Sequence, residues 1–182
     1  QSQILRDFAL GRRLADHTAT LSIPEQEFDA AKTALKKKKE IDLMIAKKSK
    51  NDRSVQNTES SILWMESHLD IMKGDYDGAK KKLSRLKETV SNENNPQKFD
   101  GYHRLMGMAN LMSGNSEIGV EHFEKAVNQG NIYFTYFKGL AYKASGNIDK
   151  AKEIFQYVAT FNFNVLVYTF VRNRALEEAA KG

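Results

Sequence analysis

The sequence predicts an all-α fold built from antiparallel pairs of helices, and three observations support this prediction. Only 2 of the 182 residues are proline and 11 are glycine, so few positions would interrupt a helix. Apolar residues recur at spacings of three and four, which keeps them on one face of a helix. A short pattern centred on a glycine recurs three times, as expected for turns between paired helices. Because cysteine is absent, disulfide-stapled folds and cysteine-based zinc sites are excluded.

Residues 1–50 predict a degenerate helical pair packed on the rest of the chain. The segment Ser22-Ile23-Pro24-Glu25 has the form of a capping box, with proline in the first turn of the helix that follows. That helix would run from Phe28 through Leu35 toward Ile45. The polar stretch 47–61 predicts a loop before the next helix.

Three copies of one pattern occupy residues 60–163. Gly74, Gly114 and Gly146 are each followed by Asp or Asn, which suits a turn that closes one helix and caps the next. Other positions repeat at fixed offsets from these glycines. They are small residues on both sides of the turn and a bulky residue further along: Ser67, Gly107 and Gly139; Ala79, Gly119 and Ala151; Leu83, Phe123 and Phe155. The pattern predicts hairpins in which the bulky side chain packs over small residues of the facing helix.

With these residues in place, the sequence resembles the tetratricopeptide repeat (TPR) family, whose unit of about 34 residues is a helix–turn–helix. The family's closing proline is missing, and the intervals between copies differ from the family period. The resemblance implies a right-handed superhelical stack of antiparallel helix pairs, a TPR-like α-solenoid. It also implies that residues 164–182 form a capping helix over the last pair, and that the whole chain is one structural domain.

The resemblance assigns ligand binding to a concave groove lined by the first helix of each pair. Carried over position by position, the groove comprises Trp64, His68, Met72, Arg104, Met108, Tyr133, Tyr136, Leu140 and Lys143. Aromatic residues, Met and Arg are enriched at protein interfaces, so the expected partner is a peptide or helix of another protein. The alternative is that the chain's own packing covers many of these side chains.

No sequence motif indicates catalysis or a cofactor. The chain has no phosphate-binding loop, no dinucleotide fingerprint and no nucleophile elbow. No metal site is predicted either, because no H-E-x-x-H pair or acid-rich cluster of metal-ligand spacing includes His17, His68, His103 or His122. The sequence therefore predicts a non-enzymatic scaffold or adaptor.

The net charge of +5 is concentrated in one segment. Residues 32–53 contain nine basic and three acidic residues, a net +6, so the rest of the chain sums to −1. The centre of this basic patch is Lys36, Lys37, Lys38, Lys39, Lys47 and Lys48. Such a patch attracts nucleic acid or an anionic membrane surface, which is the alternative function; a solvated helix face is the simpler interpretation, because no aromatic residues are interleaved. A homodimer through an uncapped helix is a further alternative.

Overall fold

A computed structural model describes residues 2–49, 52–127, 130–162 and 166–181, and within these ranges the chain forms helices and turns with no strand. The predicted all-α class is confirmed. None of the described helices combines the length and apolar character needed to cross a bilayer. The helices are α1 (Ser2–Ser22), α2 (Phe28–Ser49), α3 (Asp52–Lys73), α4 (Tyr76–Val90), α5 (Asp100–Met112), α6 (Ser116–Lys125), α7 (Ile132–Ala144), α8 (Ile148–Ala159) and α9 (Arg172–Ala180), with a short 3-10 helix at Leu166–Phe170.

The chain divides into two compact units, Gln1–Asn92 and Glu93–Gly182. Unit 1 contains α1 to α4, and unit 2 contains α5 to α9. In each unit, helices that are consecutive in sequence pack as pairs: α1 with α2, α3 with α4, α5 with α6 and α7 with α8. Five residues that bound the predicted segments lie outside the described residues: Gln1, Lys50, Phe163, Asn164 and Gly182.

The turns of the pairs share one hydrogen-bond pattern. Gly74, Gly114 and Gly146 have φ angles of 83°, 86° and 86°, in the left-handed region that glycine adopts without steric cost. At the last of these turns, the Gly146 amide donates to the Lys143 carbonyl at 3.1 Å and the Asn147 amide to the Tyr142 carbonyl at 2.9 Å. These two bonds define a Schellman motif, which satisfies carbonyls at the end of a helix. The helix pairs predicted at the three glycines are confirmed.

The α1–α2 turn has the same motif with glutamine in place of glycine. Gln26 has a φ of 62°; its amide donates to the Ile23 carbonyl at 3.1 Å, and the Glu27 amide donates to the Ser22 carbonyl at 2.9 Å. The predicted capping box at residues 22–25 is therefore wrong. Ser22 ends α1 instead of starting the next helix, and α2 begins only at Phe28, because the Schellman bonds carry the chain past Pro24.

Small residues lie under bulky ones in the pairs, as predicted. A Cβ atom added to Gly107 would lie 2.9 Å from the Phe123 ring, and one added to Gly139 would lie 2.7 Å from the Phe155 ring. In the first pair, Ala19 and Ala31 are fully buried with Leu35 in one apolar cluster, at the same offsets from the turn residue. The α1–α2 pair is therefore a fourth copy of the pattern.

Two further sequence predictions need correction. The predicted loop at 47–61 is helical on both sides of the two undescribed residues, since α2 extends to Ser49 and α3 starts at Asp52. The Gln56 side-chain amide donates to the Thr89 carbonyl, which fixes this polar part of α3 to the end of α4. The predicted C-terminal capping helix consists instead of the 3-10 helix and α9, where the Tyr168 hydroxyl donates to the Val158 carbonyl at 2.8 Å and holds the 3-10 segment against α8.

Candidate functional site

The predicted groove residues of unit 1 lie on α3 and pack into the core of that unit. Trp64 and Met72 are partly buried against the apolar cluster that contains Ala19 and Leu35. His68 is buried, its ring centroid lies 5.7 Å from that of Trp64, and desolvation lowers its pKa from 6.5 to about 4. The imidazole is therefore neutral at pH 7 and not available as a charged contact for a partner.

The predicted groove residues of α5 are also withdrawn from solvent. Met108 is fully buried, and Arg104 is partly buried with its guanidinium 3.7 Å from the Asp100 carboxylate. Burial lowers the pKa of Arg104, and the nearby Asp100 charge opposes that shift. Asp100 also accepts a hydrogen bond from the Val127 amide at 2.8 Å, and this bond holds the segment after α6 to the start of α5.

The predicted groove residues of α7 lie close to α9. Tyr133 and Tyr136 are buried, and desolvation raises the pKa of both phenols while the positive charge of Arg174 on α9 opposes that change. Lys143 is exposed but pairs with Glu178 of α9, and Leu140 is partly buried. Among the nine predicted groove residues, only Lys143 is exposed. Four of the nine are buried and four are partly buried, which favours the alternative in which the chain covers many of these positions itself.

An open apolar groove lies elsewhere, between α1 and α2 in unit 1. It has a volume of about 620 Å³ and is lined by Gly11, Leu14, Ala15, Thr18, Asp29, Ala30, Thr33, Ala34 and Lys37. Leu14 is 68% exposed on its wall, and Leu10, one turn earlier on α1, is equally exposed. Exposed leucine side chains beside an apolar concavity are typical of interaction surfaces in proteins.

The groove follows from small residues placed at helical spacing on both helices. Gly11 and Ala15 are four residues apart on α1, and Ala30 and Ala34 are four apart on α2, so each pair lies on one face. Side chains this short leave a depression between the two helices, while Leu14 forms its wall. The site was not predicted from the sequence, although these paired small residues beside exposed leucines were the available signal.

The basic patch lies on α2, and one of its predicted members is not at the surface. Lys38 is 2% exposed and donates to Asp42 at 2.5 Å, so its prediction as part of a basic surface is wrong. Lys39 pairs with Glu66 at 3.3 Å. The remaining members are exposed: Lys36, Lys37, Lys47 and Lys48. Lys37 belongs to both surfaces, since it also lines the groove.

Two histidines form a close contact that the sequence did not predict. The Nδ1 atoms of His103 on α5 and His122 on α6 are 3.0 Å apart, and Tyr102 packs edge-on against both rings. Within the described ranges, no three potential metal-ligating side chains come together.

Comparisons with protein-family models, with curated proteins and with solved structures find no match to this chain.

Proposed function

We propose that this protein is a non-enzymatic interaction module that binds an amphipathic helix of a partner protein in the groove between α1 and α2. The observation that carries the proposal is the open apolar groove itself, with Leu14 standing on its wall 68% exposed. The four Schellman turns and the small-under-bulky packing support a TPR-like character for the helix pairs. Stacking of these pairs as a right-handed superhelix is part of the same proposal.

The shape of the groove favours a helix as the occupant. Its lining runs from Gly11 to Thr18 on α1 and from Asp29 to Lys37 on α2, which corresponds to about two helical turns or 11 Å. A ridge of Leu or Ile side chains on a partner helix fits a concavity between two helices of this length. Burying each such side chain, together with the wall leucines, contributes about 1.5–3 kcal/mol before the cost of association.

The charge around the groove specifies the polar face of that helix. Lys37 lines the groove together with Asp29, and Lys36 is exposed next to Lys37 on α2; Lys47 and Lys48 lie about 15 Å further along the same helix. Acidic residues beside the apolar ridge of the partner would meet Lys36 and Lys37 and accelerate association at low salt. The partner is thus expected to carry apolar residues at i, i+3 or i+4, and i+7, flanked by Asp or Glu.

Selection from a displayed library of helical peptides tests the proposal and needs no identified partner. The wild-type protein should enrich peptides with the expected apolar spacing and acidic flank. Leu14→Glu should lower the affinity for those peptides by more than about tenfold, because it places a charge in an apolar interface. Leu176→Glu on α9 is the matched control, since that leucine is 47% exposed but lies in unit 2, and it should bind the peptides like wild type.

Two results would overturn the proposal. One is a selection in which the enriched peptides lack the apolar spacing, or in which they bind the Leu14→Glu variant as tightly as they bind the wild-type protein. The other is a wild-type dimer in light scattering that Leu14→Glu converts to a monomer, because the groove would then be occupied by a second copy of the chain.

The exposed lysines of α2 favour a second candidate, an anionic surface such as RNA, DNA or acidic lipid. Retention on labelled single-stranded RNA or on vesicles containing phosphatidylserine should then fall steeply between low and moderate salt. Lys36→Glu combined with Lys47→Glu should abolish that retention. The control Lys80→Glu combined with Lys150→Glu changes the net charge equally on α4 and α8, and equal loss in both double variants would exclude a specific role for α2.

A further inference from the structure

A second cavity in unit 1 is polar and lies among α1, α2 and α3. It has a volume of about 330 Å³, at the lower end of the range typical of small-molecule sites. Its lining contains two guanidinium groups, one carboxylate, three hydroxyl groups and one amide, from Arg12, Asp42, Arg53, Ser54, Asn57, Thr58 and Ser61. This set differs from the apolar lining of the α1–α2 groove, so the cavity is suited to a different ligand.

The first turns of α3 line the cavity with polar side chains, although the same face of the helix is apolar further along. Ser54, Asn57, Thr58 and Ser61 follow the spacing i, i+3, i+4 and i+7, which places them on one face. The same face continues with Met65 and Leu69, which belong to the apolar core cluster of unit 1. A face that is apolar where it packs and polar where it borders a cavity matches a lining for a hydrated or liganded space.

An ion cluster centred on the buried residues Lys38 and Asp42 forms the opposite wall of the cavity. Asp42 is 4% exposed and accepts bonds from Arg12 Nε and Lys38 Nζ, each at 2.5 Å. The Lys38 ammonium also lies 3.7 Å from Asp16. Asp42 therefore holds Arg12 in place at the cavity wall, so less conformational entropy is lost when this guanidinium binds a ligand.

We propose that this cavity binds a small polyhydroxylated molecule that carries one phosphate or carboxylate group. Guanidinium binds both kinds of oxyanion in bidentate geometry, and the lining presents two such groups, of which Arg12 is already oriented by Asp42. The row of hydroxyl and amide groups on α3 supplies donors and acceptors for the ligand's own hydroxyl groups. The site is independent of the partner helix proposed for the α1–α2 groove.

Titration calorimetry with four probes tests this proposal on the intact chain. Glucose 6-phosphate and gluconate represent the phosphate and carboxylate forms of the ligand, and glucose and inorganic phosphate are the controls. At least one of the two charged sugars should bind at least about tenfold more tightly than either control, since each control lacks one of the two recognition elements. The preferred member of the pair identifies the oxyanion.

Variants of the lining residues test whether the ligand binds in the cavity. Arg53→Gln should weaken binding by about tenfold or more, and Thr58→Val, which keeps the shape but removes one hydroxyl, by about fivefold. Arg13→Gln, at an exposed arginine outside the lining, is the matched control and should bind like wild type. Binding of neither charged sugar above the controls, or equal affinity in the Arg53→Gln, Thr58→Val and Arg13→Gln variants, would overturn the proposal. Circular dichroism confirms that each variant is folded as wild type.

Discussion

The α1–α2 pair and the α7–α8 pair turn in the same way but are completed differently. Both close with a Schellman motif, at Gln26 and at Gly146. The first pair has helices of 21 and 22 residues, and the second has helices of 13 and 12 residues. Residues of α9 lie close to α7, whereas the first pair retains an open groove with exposed leucines. The turn thus defines a helix pair, while the length of its helices and the segments that pack beside them determine whether the pair remains accessible to a ligand.

The largest expected difference between the two pairs concerns their large apolar side chains. Phe155 is 2% exposed over Gly139, so Phe155→Ala should lower the free energy of unfolding by about 3–5 kcal/mol. Leu14→Ala in the first pair should change it by less than about 0.5 kcal/mol, because that side chain is already in water. Urea unfolding followed by circular dichroism measures both. Similar losses in the two variants would show that Leu14 is a core residue and not a wall of a binding groove.

The second comparison concerns one equivalent position on α2 and α8. Lys38 and Val158 lie at the same offset from their turn residues and both are buried, but only the lysine needs the Asp42 carboxylate. Lys38→Met should cost about 3 kcal/mol of unfolding free energy, since it removes one partner of a buried ion pair. Replacing both residues of the ion pair by leucine should return stability to within about 1 kcal/mol of wild type. If the double variant is as unstable as the single one, the ion cluster itself is needed for the packing of unit 1.

The third prediction concerns pH and a buried group of unit 1. His68 has a pKa of about 4 in the folded chain against 6.5 when unfolded, so between these values the unfolded chain binds a proton that the folded chain does not. The neutral His68 therefore makes its full contribution to the free energy of unfolding above pH 6.5. Below that pH the free energy of unfolding falls by about 1.4 kcal/mol for each pH unit, or by about 2 kcal/mol at pH 5. Urea unfolding at pH 7 and pH 5 should show this loss in wild type and in His17→Gln, an exposed histidine. The His68→Leu variant should show less loss, and an unchanged loss would rule out His68 as its source.

The smallest effect concerns the turns. Gly146→Gln should destabilise by about 1 kcal/mol, because φ of 86° is strained for any residue with a Cβ atom. The reciprocal change Gln26→Gly should stabilise by about 0.5 kcal/mol, since relief of that strain is partly offset by the greater flexibility of glycine in the unfolded chain. Thermal unfolding of the two variants compares them. A loss of stability in Gln26→Gly would show that the Gln26 side chain contributes more than its backbone strain costs.

The sequence was sufficient where one residue type was required by the backbone. Gly74, Gly114 and Gly146 marked their turns because a left-handed residue is most often glycine, and Gly107 and Gly139 marked close packing because no side chain fits there. The turn at Gln26 was not predicted, because glutamine rarely adopts a positive φ angle and so does not indicate this turn in a sequence. The helix at the start of α3 was missed because Ser54, Asn57, Thr58 and Ser61 suit a solvated loop as well as a helix that borders a polar cavity.

The candidate sites were less predictable than the fold. Periodicity shows that Tyr133 or Met108 lies on one face of a helix, but not whether another segment of the chain covers that face. The groove beside Leu14 depends on which faces of α1 and α2 other helices cover, and the periodicity of a single helix does not show that. The same holds for Lys38, whose burial depends on an acidic residue one turn away and on Arg12 from another helix.

The contact between Trp64 and His68 allows the protonation of His68 to be followed by tryptophan fluorescence. Trp64 is the single tryptophan of the chain, and its ring centroid lies 5.7 Å from that of a histidine that stays neutral down to about pH 4. A protonated imidazole at such a distance quenches indole fluorescence by accepting an electron from the excited ring, whereas a neutral imidazole does so weakly. The emission of the folded protein should therefore stay bright through the range in which exposed histidines titrate, and dim only as this one buried ring takes up its proton.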